Sequence, residues 1–435
     1  MKQLIVLGNG FDLACGLKSS YSDFFLQRFS ELFCDGKGKA ESFEEIESIL
    51  NEKRDSILFS ISNRKGEITD IYGADRECDY FKDCSNKWSS NTGLTRWDII
   101  FLFAQLCIGK ETNLYEWQDV ELIILEAVSI ALGKKYISRV SYKEKVSIGN
   151  SSGNGRSVFA DLIYYISRVS SINNSSEIAN ELLNELKKFE AIFSKYIAEQ
   201  VDINNPNSKY INNALDLYER ISKYSNNKTN SSNDQVDVLS FNYSLDEGFV
   251  NVVDRTIGDY RLKSWSNIHG IAHSIKTPYY PAPIFGIDNH DIVSQDTQSD
   301  FRISFTKPYR VIEGGINEVR SSNGYPSLDL ISIYGHSLGR ADYSYFETLF
   351  DENELYHSKC KIEYYYYPGK DEETIFIKRQ EAVTNLYNLL TDYGMTISKK
   401  HRSNIINRLN LENRISIIPS DKFINHKETN KTSTT

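Results

Sequence analysis

No stretch of this 435-residue chain carries a long run of lysine or arginine, and 50 basic against 59 acidic side chains leave a net charge of −9. Affinity for nucleic acid rests on basic stripes that neutralise phosphates, so the composition argues against a nucleic-acid binder. Cysteine is sparse too: Cys15, Cys34, Cys78, Cys84, Cys107 and Cys360 form no CxxC pair and have no zinc-type spacing with a histidine. That excludes a recognisable disulfide framework or zinc site and fits reduced thiols in a cytosolic protein. No apolar run reaches the roughly eighteen residues that span a bilayer. Lys2 before the apolar run at 4–7 imitates a signal peptide, but Gly8 and Asn9 interrupt that run too early. The expected setting is cytoplasmic, with no membrane partner and no metal.

What the chain does contain is a globular α/β pattern, 40% apolar and long enough for two or three structural units. Five short apolar or β-branched runs read as buried parallel strands: QLIVLG (3–8), QVDVLSFN (235–242), SNIHG (266–270), DLISIYG (329–335) and KIEYYYY (361–367). More than 200 residues of mostly helical period separate the first two. In YSDFFLQRFSELF, apolar residues at 24, 25, 29, 32 and 33 form one face, and Ser20 with Asp23 gives a capping-box start. GNSSGNGRS at 149–157 and SNNKTNSSND at 225–234 mark surface connections. The expectation is a Rossmann-like parallel sheet with a large helical insertion. Residues 1–25 and 236–370 form a discontinuous nucleotide-binding domain, 26–235 the insertion, 371–420 a C-terminal helical segment and 421–435 a disordered tail.

Four motifs fall at predicted strand ends. GNGFD follows the first strand, where a glycine turn brings backbone amides close to a phosphate or ribose; without the third glycine of GxGxxG, an ordinary tight turn is equally open. In VLSFNYSLDE, Asn242 and Tyr243 end the second strand, and Asn242 is either a carboxamide for a ligand or a cap for a helix near Leu245. In SNIHGIAH, His269 ends a strand before a glycine and is a candidate general base, or else a structural histidine; His273 has no supporting metal cluster. GHSLG at 335–339 matches the GxSxG elbow of α/β-hydrolases with Ser337 as nucleophile. Against a hydrolase stand the lack of an HGGG-type oxyanion loop, the bulky Arg340 and the absence of a partner acid for His357, His401 or His426. Trp117, Asp119 and Glu121 in YEWQDVELI suit capping and dipole compensation at a helix start. Lys307 and Arg310 in FTKPYR either meet a ligand phosphate or are solvated.

GNGFDLA, WQDVE, FNYS, IHG, IFGID and IYGHSLGRAD, in that order, resemble the abortive-infection AbiH family of bacterial phage-defence proteins. The likeness covers roughly 1–25 and 236–350, with WQDVE as an island. The order of glycine loop, Asn after a strand, His-Gly and Gly-x-Ser is also similar to the sirtuin-type NAD-binding fold. That resemblance implies a glycine loop of Gly8, Asn9, Gly10, Phe11 and Asp12 cradling NAD. It implies Asn242 positioning water or ribose, with Tyr243 beside it, and His269 acting on the ribose hydroxyls. Gly335, His336 and Ser337 would contact the cofactor, and Asp342 would be an acid at the edge of the site. The four-cysteine zinc module of sirtuin deacetylases has no counterpart, so protein deacetylation is not implied. The expected function is an antiphage effector that hydrolyses NAD at the nicotinamide–ribose bond, as a homo-oligomer or with a defence-system partner protein. The alternatives are a nucleotide-binding sensor or scaffold without turnover and a Ser337 esterase.

Overall fold

The computed structural model describes residues 1–31, 39–52, 93–112, 117–133, 159, 160, 163, 167, 174–201, 205, 208–224, 234–272, 282–292, 300–320, 324–369, 371–397 and 404–420. Both marked loops apart from Asp234, His273 and the tail at 421–435 lie outside them. The chain divides into two compact units, one of Met1–Lys18, Ile197–Pro281 and Gly315–Thr435, the other of Ser19–Tyr196 and Ala282–Gly314.

The first unit is built on six parallel strands: β1 (Lys2–Leu7), β2 (Gln235–Ser240), β3 (Leu262–Asn267), β4 (Leu330–Tyr334), β5 (Lys361–Tyr366) and β6 (Ile415–Pro419), in the order β3-β2-β1-β4-β5-β6. The five runs read as strands all enter this sheet, and beyond Lys2 the central β1 and β4 are buried on both faces and apolar but for Gln3 and Ser332. Leu4 and Val6 share one face with Leu239, Ile331, Ile333, Ile362 and Tyr364, packed under Phe346, Phe350, Leu386 and Leu390 of the helices Tyr343–Glu352 and Glu372–Thr396. On the other face Trp265 packs edge-on against Phe11 and against Phe249 of the helix Gly248–Ile257. Gln3 Nε2 donates to Ser332 Oγ at 2.9 Å and, at 3.4 Å, to the Ile221 carbonyl of the helix Lys209–Tyr224. That helix, placed in the insertion by the sequence pattern, therefore packs on the sheet.

Two strands differ from the sequence pattern. β3 starts at Leu262, four residues before SNIHG, since as an edge strand it tolerates the exposed Lys263. β6 lies inside the stretch expected to be helical after residue 370. Its ISIIP alternates like a strand with one covered face, and Pro419 is accommodated at the end of an edge strand.

The second unit is helical, with Tyr21–Phe29, Arg96–Thr112, Trp117–Ala131 and Ser175–Ala198 as its main described helices. Ser20 caps the first, its Oγ accepting from the Asp23 amide at 3.0 Å. Phe24, Phe189, Phe193 and Phe285 form an aromatic core. Lys307 and Arg310 meet neither solvent nor a free phosphate site, because both are buried and already neutralised. Lys307 Nζ lies 2.7 Å from Glu121, and Arg310 Nη2 lies 2.7 Å from Glu190. Among the described residues no helix is long and apolar enough to cross a membrane, and no group of His, Cys, Asp and Glu is arranged to hold a metal ion. Cys15, Cys107 and Cys360 are buried and in no disulfide.

Candidate functional site

The strand order reverses between β1 and β4, and doubly wound sheets take ligands at the carboxyl edge of that switch point. Here the turn after β1 lies directly on the turn after β4. The Gly8 and Gly10 amides donate to the carbonyls of Tyr334 and Gly335 at 3.0 and 2.8 Å, and Phe11 N donates back to Gly8 O at 2.9 Å. A Cβ on Gly8 would stand 2.5 Å from His336 Cα, and one on Gly10 would stand 2.6 Å from Gly335 Cα. Gly335 has φ +66°, and a Cβ there would overlap the Phe11 nitrogen. Close approach of two backbones is thus a sufficient reason for all three glycines. Three amides of the GNGFD turn are also already bonded within the protein. Asn9 is half-buried, whereas Phe11 is buried edge-on against Trp265 and Tyr334 as part of the core.

Asn242 ties the end of β2 to this seam. Its Nδ2 donates to Gly8 O at 2.9 Å, and its own carbonyl accepts from Asn267 Nδ2 at 2.8 Å. It caps no helix, since the next one begins at Gly248. Tyr243 is half-buried, and its carbonyl accepts from the Ala272 amide at 2.7 Å.

Asp12 points inward rather than to the edge. Tyr210 Oη lies 2.7 Å from Oδ1, Ser244 Oγ lies 2.7 Å from Oδ2, and the two hydroxyls lie 2.9 Å apart. Two hydroxyl hydrogens cannot make three hydrogen bonds, so the ring is complete only when Asp12 is protonated. Burial works the same way, raising the Asp12 pKa from 3.8 to about 6 against the opposing hydrogen bonds of Ser244, Tyr210 and Asn242. Burial, seconded by the charge of Asp12, also holds the Tyr210 phenol far above its ordinary range, so it remains a hydroxyl. The folded state binds this proton more tightly than the unfolded chain. The associated stability is therefore complete below about pH 4 and is lost as pH rises through about 6. Asp12→Asn carries the third hydrogen on its amide at every pH. It is expected to exceed wild type by about 3 kcal/mol at pH 8 and to converge with it near pH 4. Urea unfolding across that range checks this, and parallel profiles for the two proteins would refute it.

The third strand end and the β4 turn meet at a carboxylate. Asp342 Oδ2 lies 3.3 Å from His336 Nε2, and Oδ1 lies 3.7 Å from His269 Nε2. His336 Nδ1 accepts from the Leu338 amide at 2.9 Å, which places the proton of a neutral ring on Nε2, facing the acid. Phe241 packs edge-on against both imidazoles, and Tyr345 packs against His269. The histidines are buried, while the Asp342 side chain keeps 16% exposure and is the open member of the set. The arrangement sets one carboxylate 3.3 Å from the His336 ring nitrogen and 3.7 Å, beyond hydrogen-bond reach, from that of His269.

Ser337 is exposed and stands apart from any elbow. Leu338 after it has φ +57°, the chain runs on through a 3-10 turn at Arg340–Asp342, and the helix starts only at Tyr343. A nucleophile elbow passes from strand directly into helix, so the GxSxG match lacks the geometry that gives it meaning.

The structure thus brings Gly8, Gly10, Asn242, Gly335, His336, Asp342 and His269 together along one edge, turns Phe11 and Asp12 into the interior and leaves Ser337 exposed. It adds Tyr210, Ser244, Asn267, Phe241 and Tyr345. Ser244 lies two residues past Asn242, in the same FNYS motif. Tyr210 is 198 residues from Asp12 and no local pattern announces it.

These features define a doubly wound α/β protein whose switch point is closed by two glycine turns and flanked by an acid shared between histidines. The family model for bacteriophage abortive infection AbiH matches residues 4–366, and the chain belongs to that family of phage-defence proteins. Comparisons with curated proteins and with solved structures return no match.

Proposed function

We propose that this defence protein arrests infected cells by hydrolysing NAD at the nicotinamide–ribose bond, at the carboxyl edge of the sheet. The observation that carries this is the placement of His269 and His336 around Asp342 beside the switch point, where sheets of this order take dinucleotides. The similarity of motif order to sirtuin-type NAD-binding proteins supports the choice of dinucleotide. In the reaction the bond from the ribose anomeric carbon to the pyridinium nitrogen breaks, and nicotinamide leaves with the bonding pair. Water adds to the resulting oxocarbenium centre and gives up one proton. His269, with the Asp342 carboxylate at its Nε2, is the base for that proton or for a ribose hydroxyl. Asn242 spends its Nδ2 on Gly8 and offers its carboxamide oxygen to the water or ribose. The diphosphate is expected against the β1 and β4 turns.

The deep burial of His269 and the internally bonded amides of the glycine turn favour a second reading, a sensor that binds a nucleotide without cleaving it. One experiment separates them. Full-length protein is incubated with NAD, alone and with extract of phage-infected cells, and nicotinamide release is followed beside direct binding. Turnover is expected, with His269→Ala and Asp342→Asn lower by about 100- to 10,000-fold. Saturable binding with no release in either condition would leave the sensor reading standing, and an ester hydrolase activity lost only in Ser337→Ala would replace both.

A further inference from the structure

The carboxamide of Asn242 is held by its nitrogen end. Its Nδ2 donates to Gly8 O at 2.9 Å, and the Asp12 carboxyl group accepts from the same amide. A carboxamide carries two donor hydrogens and one oxygen, so with both hydrogens committed to acceptors of the protein, the oxygen is the end left for a ligand. The backbone around it is fixed. The Asn242 amide donates to Ser240 Oγ at 3.1 Å, and the Asn242 carbonyl accepts from Asn267 Nδ2 at 2.8 Å. What can change is the turn of the carboxamide, and that depends on its two acceptors. Gly8 O is constant, whereas Asp12 changes its pull on a donor with its proton.

The ring of Asp12, Tyr210 and Ser244 makes that change two-state. With a proton on Asp12, three hydrogens serve three contacts of 2.7, 2.7 and 2.9 Å. Without it, both hydroxyls turn their hydrogens to the carboxylate, and the oxygens of Tyr210 and Ser244 face each other with none between them. Ser244 follows Asn242 by two residues, so the contact that must lengthen belongs to the turn that carries the carboxamide. The charge on Asp12 also competes with Gly8 O for the Asn242 amide, since a hydrogen bond to an ionised acceptor is about twice as strong as a neutral one. We propose that Asp12 is the positioning residue for Asn242 and makes the site sensitive to pH: protonated, it keeps the carboxamide oxygen toward the ligand, and ionised, it draws the carboxamide out of place. The proposal rests on the reading in which Asn242 meets NAD. Its neighbours leave Asp12 as the titrating group. Burial keeps the Tyr210 phenol and the Cys15 thiol well above their ordinary ranges, and Asp216, the acid of the helix Lys209–Tyr224 that acts on Cys15, is paired with Arg220 at 2.6 Å. Burial brings Asp12 itself up to about 6.

Nuclear magnetic resonance of the full-length chain, labelled at asparagine and aspartate, tests this without NAD. In wild type the Asn242 side-chain amide and the Asp12 carboxyl carbon are expected to shift with one midpoint near pH 6. In Asp12→Asn, which supplies the third hydrogen at every pH, the Asn242 amide should stay fixed. An amide that does not titrate in wild type, or titrates alike in Asp12→Asn, overturns the proposal. NAD turnover is the second readout. The ratio of Asp12→Asn to wild type cancels the titration of His269, which both proteins share. It is expected to be level in acid and to climb above pH 6 towards about tenfold per pH unit. A level ratio in a protein that cleaves NAD overturns the proposal as well. A protein that neither binds nor cleaves NAD removes the proposed function alone, and the Asn242 amide still decides the role of Asp12.

Discussion

Gly335→Ala is expected to cost the sheet unit about 3 kcal/mol or more, the sum of a left-handed backbone and an overpacked contact. Gly335 has φ +66°, and its added methyl would overlap the nitrogen of Phe11 and stand 2.6 Å from the Gly10 carbonyl carbon. These neighbours are backbone, pinned by the hydrogen bonds that join the β1 and β4 turns, so neither can swing aside. Gly258→Ala is the control. That glycine has nearly the same φ, +63°, at the end of the helix Gly248–Ile257, but its methyl would meet nothing within 4 Å. It should lose only the conformational part, about 1 kcal/mol. Urea unfolding of both variants gives the difference, and equal losses would show that the seam between the two turns is looser than its geometry indicates.

Arg310→Met is expected to destabilise the helical unit by about 3–5 kcal/mol, because it strands a buried carboxylate. Glu190 receives two guanidinium contacts, at 3.0 and 2.7 Å, and the Phe285 amide at 2.8 Å. Burial already raises its pKa despite Arg310, and without the cation it rises further. A carboxyl raised in the folded state contributes stability at low pH and loses it as pH rises. The variant should therefore recover more on acidification than wild type does. Joining Arg310→Met to Glu190→Leu should restore most of the loss, since a buried ion pair is roughly interchangeable with apolar side chains of similar volume. A double variant no better than Arg310→Met alone would show that the pair is needed for more than mutual neutralisation.

The parts of this protein legible along the chain are those whose signal is local. β1, β2, β4 and β5 announce themselves as short, mainly apolar runs bounded by turn residues, as strands buried in a parallel sheet do. The family likeness was legible in short motifs that are now seen to cluster: GNGFD and GHSLG touch each other across the switch point, and FNYS and IHG end the neighbouring strands. β6 is hidden because a five-residue run, even with three isoleucines, is too short for its period to separate a strand from a helix. The helix Lys209–Tyr224 was assigned to the insertion since its amphipathic period cannot say which surface it covers.

What waited for the fold was every decision between two chemically plausible partners. Lys307 and Arg310 are basic in any reading, but only long-range packing sets Glu121 and Glu190 against them. Asp12 beside a glycine turn suggested a ligand carboxylate, until Tyr210 from 198 residues away closed a ring around it. Two histidines and Asp342 were visible as members of one edge, but the place of the carboxylate between the two imidazoles was not, because the sheet order sets which loops lie side by side. Periodicity reports which side of a segment is covered; who covers it depends on contacts between residues hundreds of positions apart, and those exist only in the folded chain.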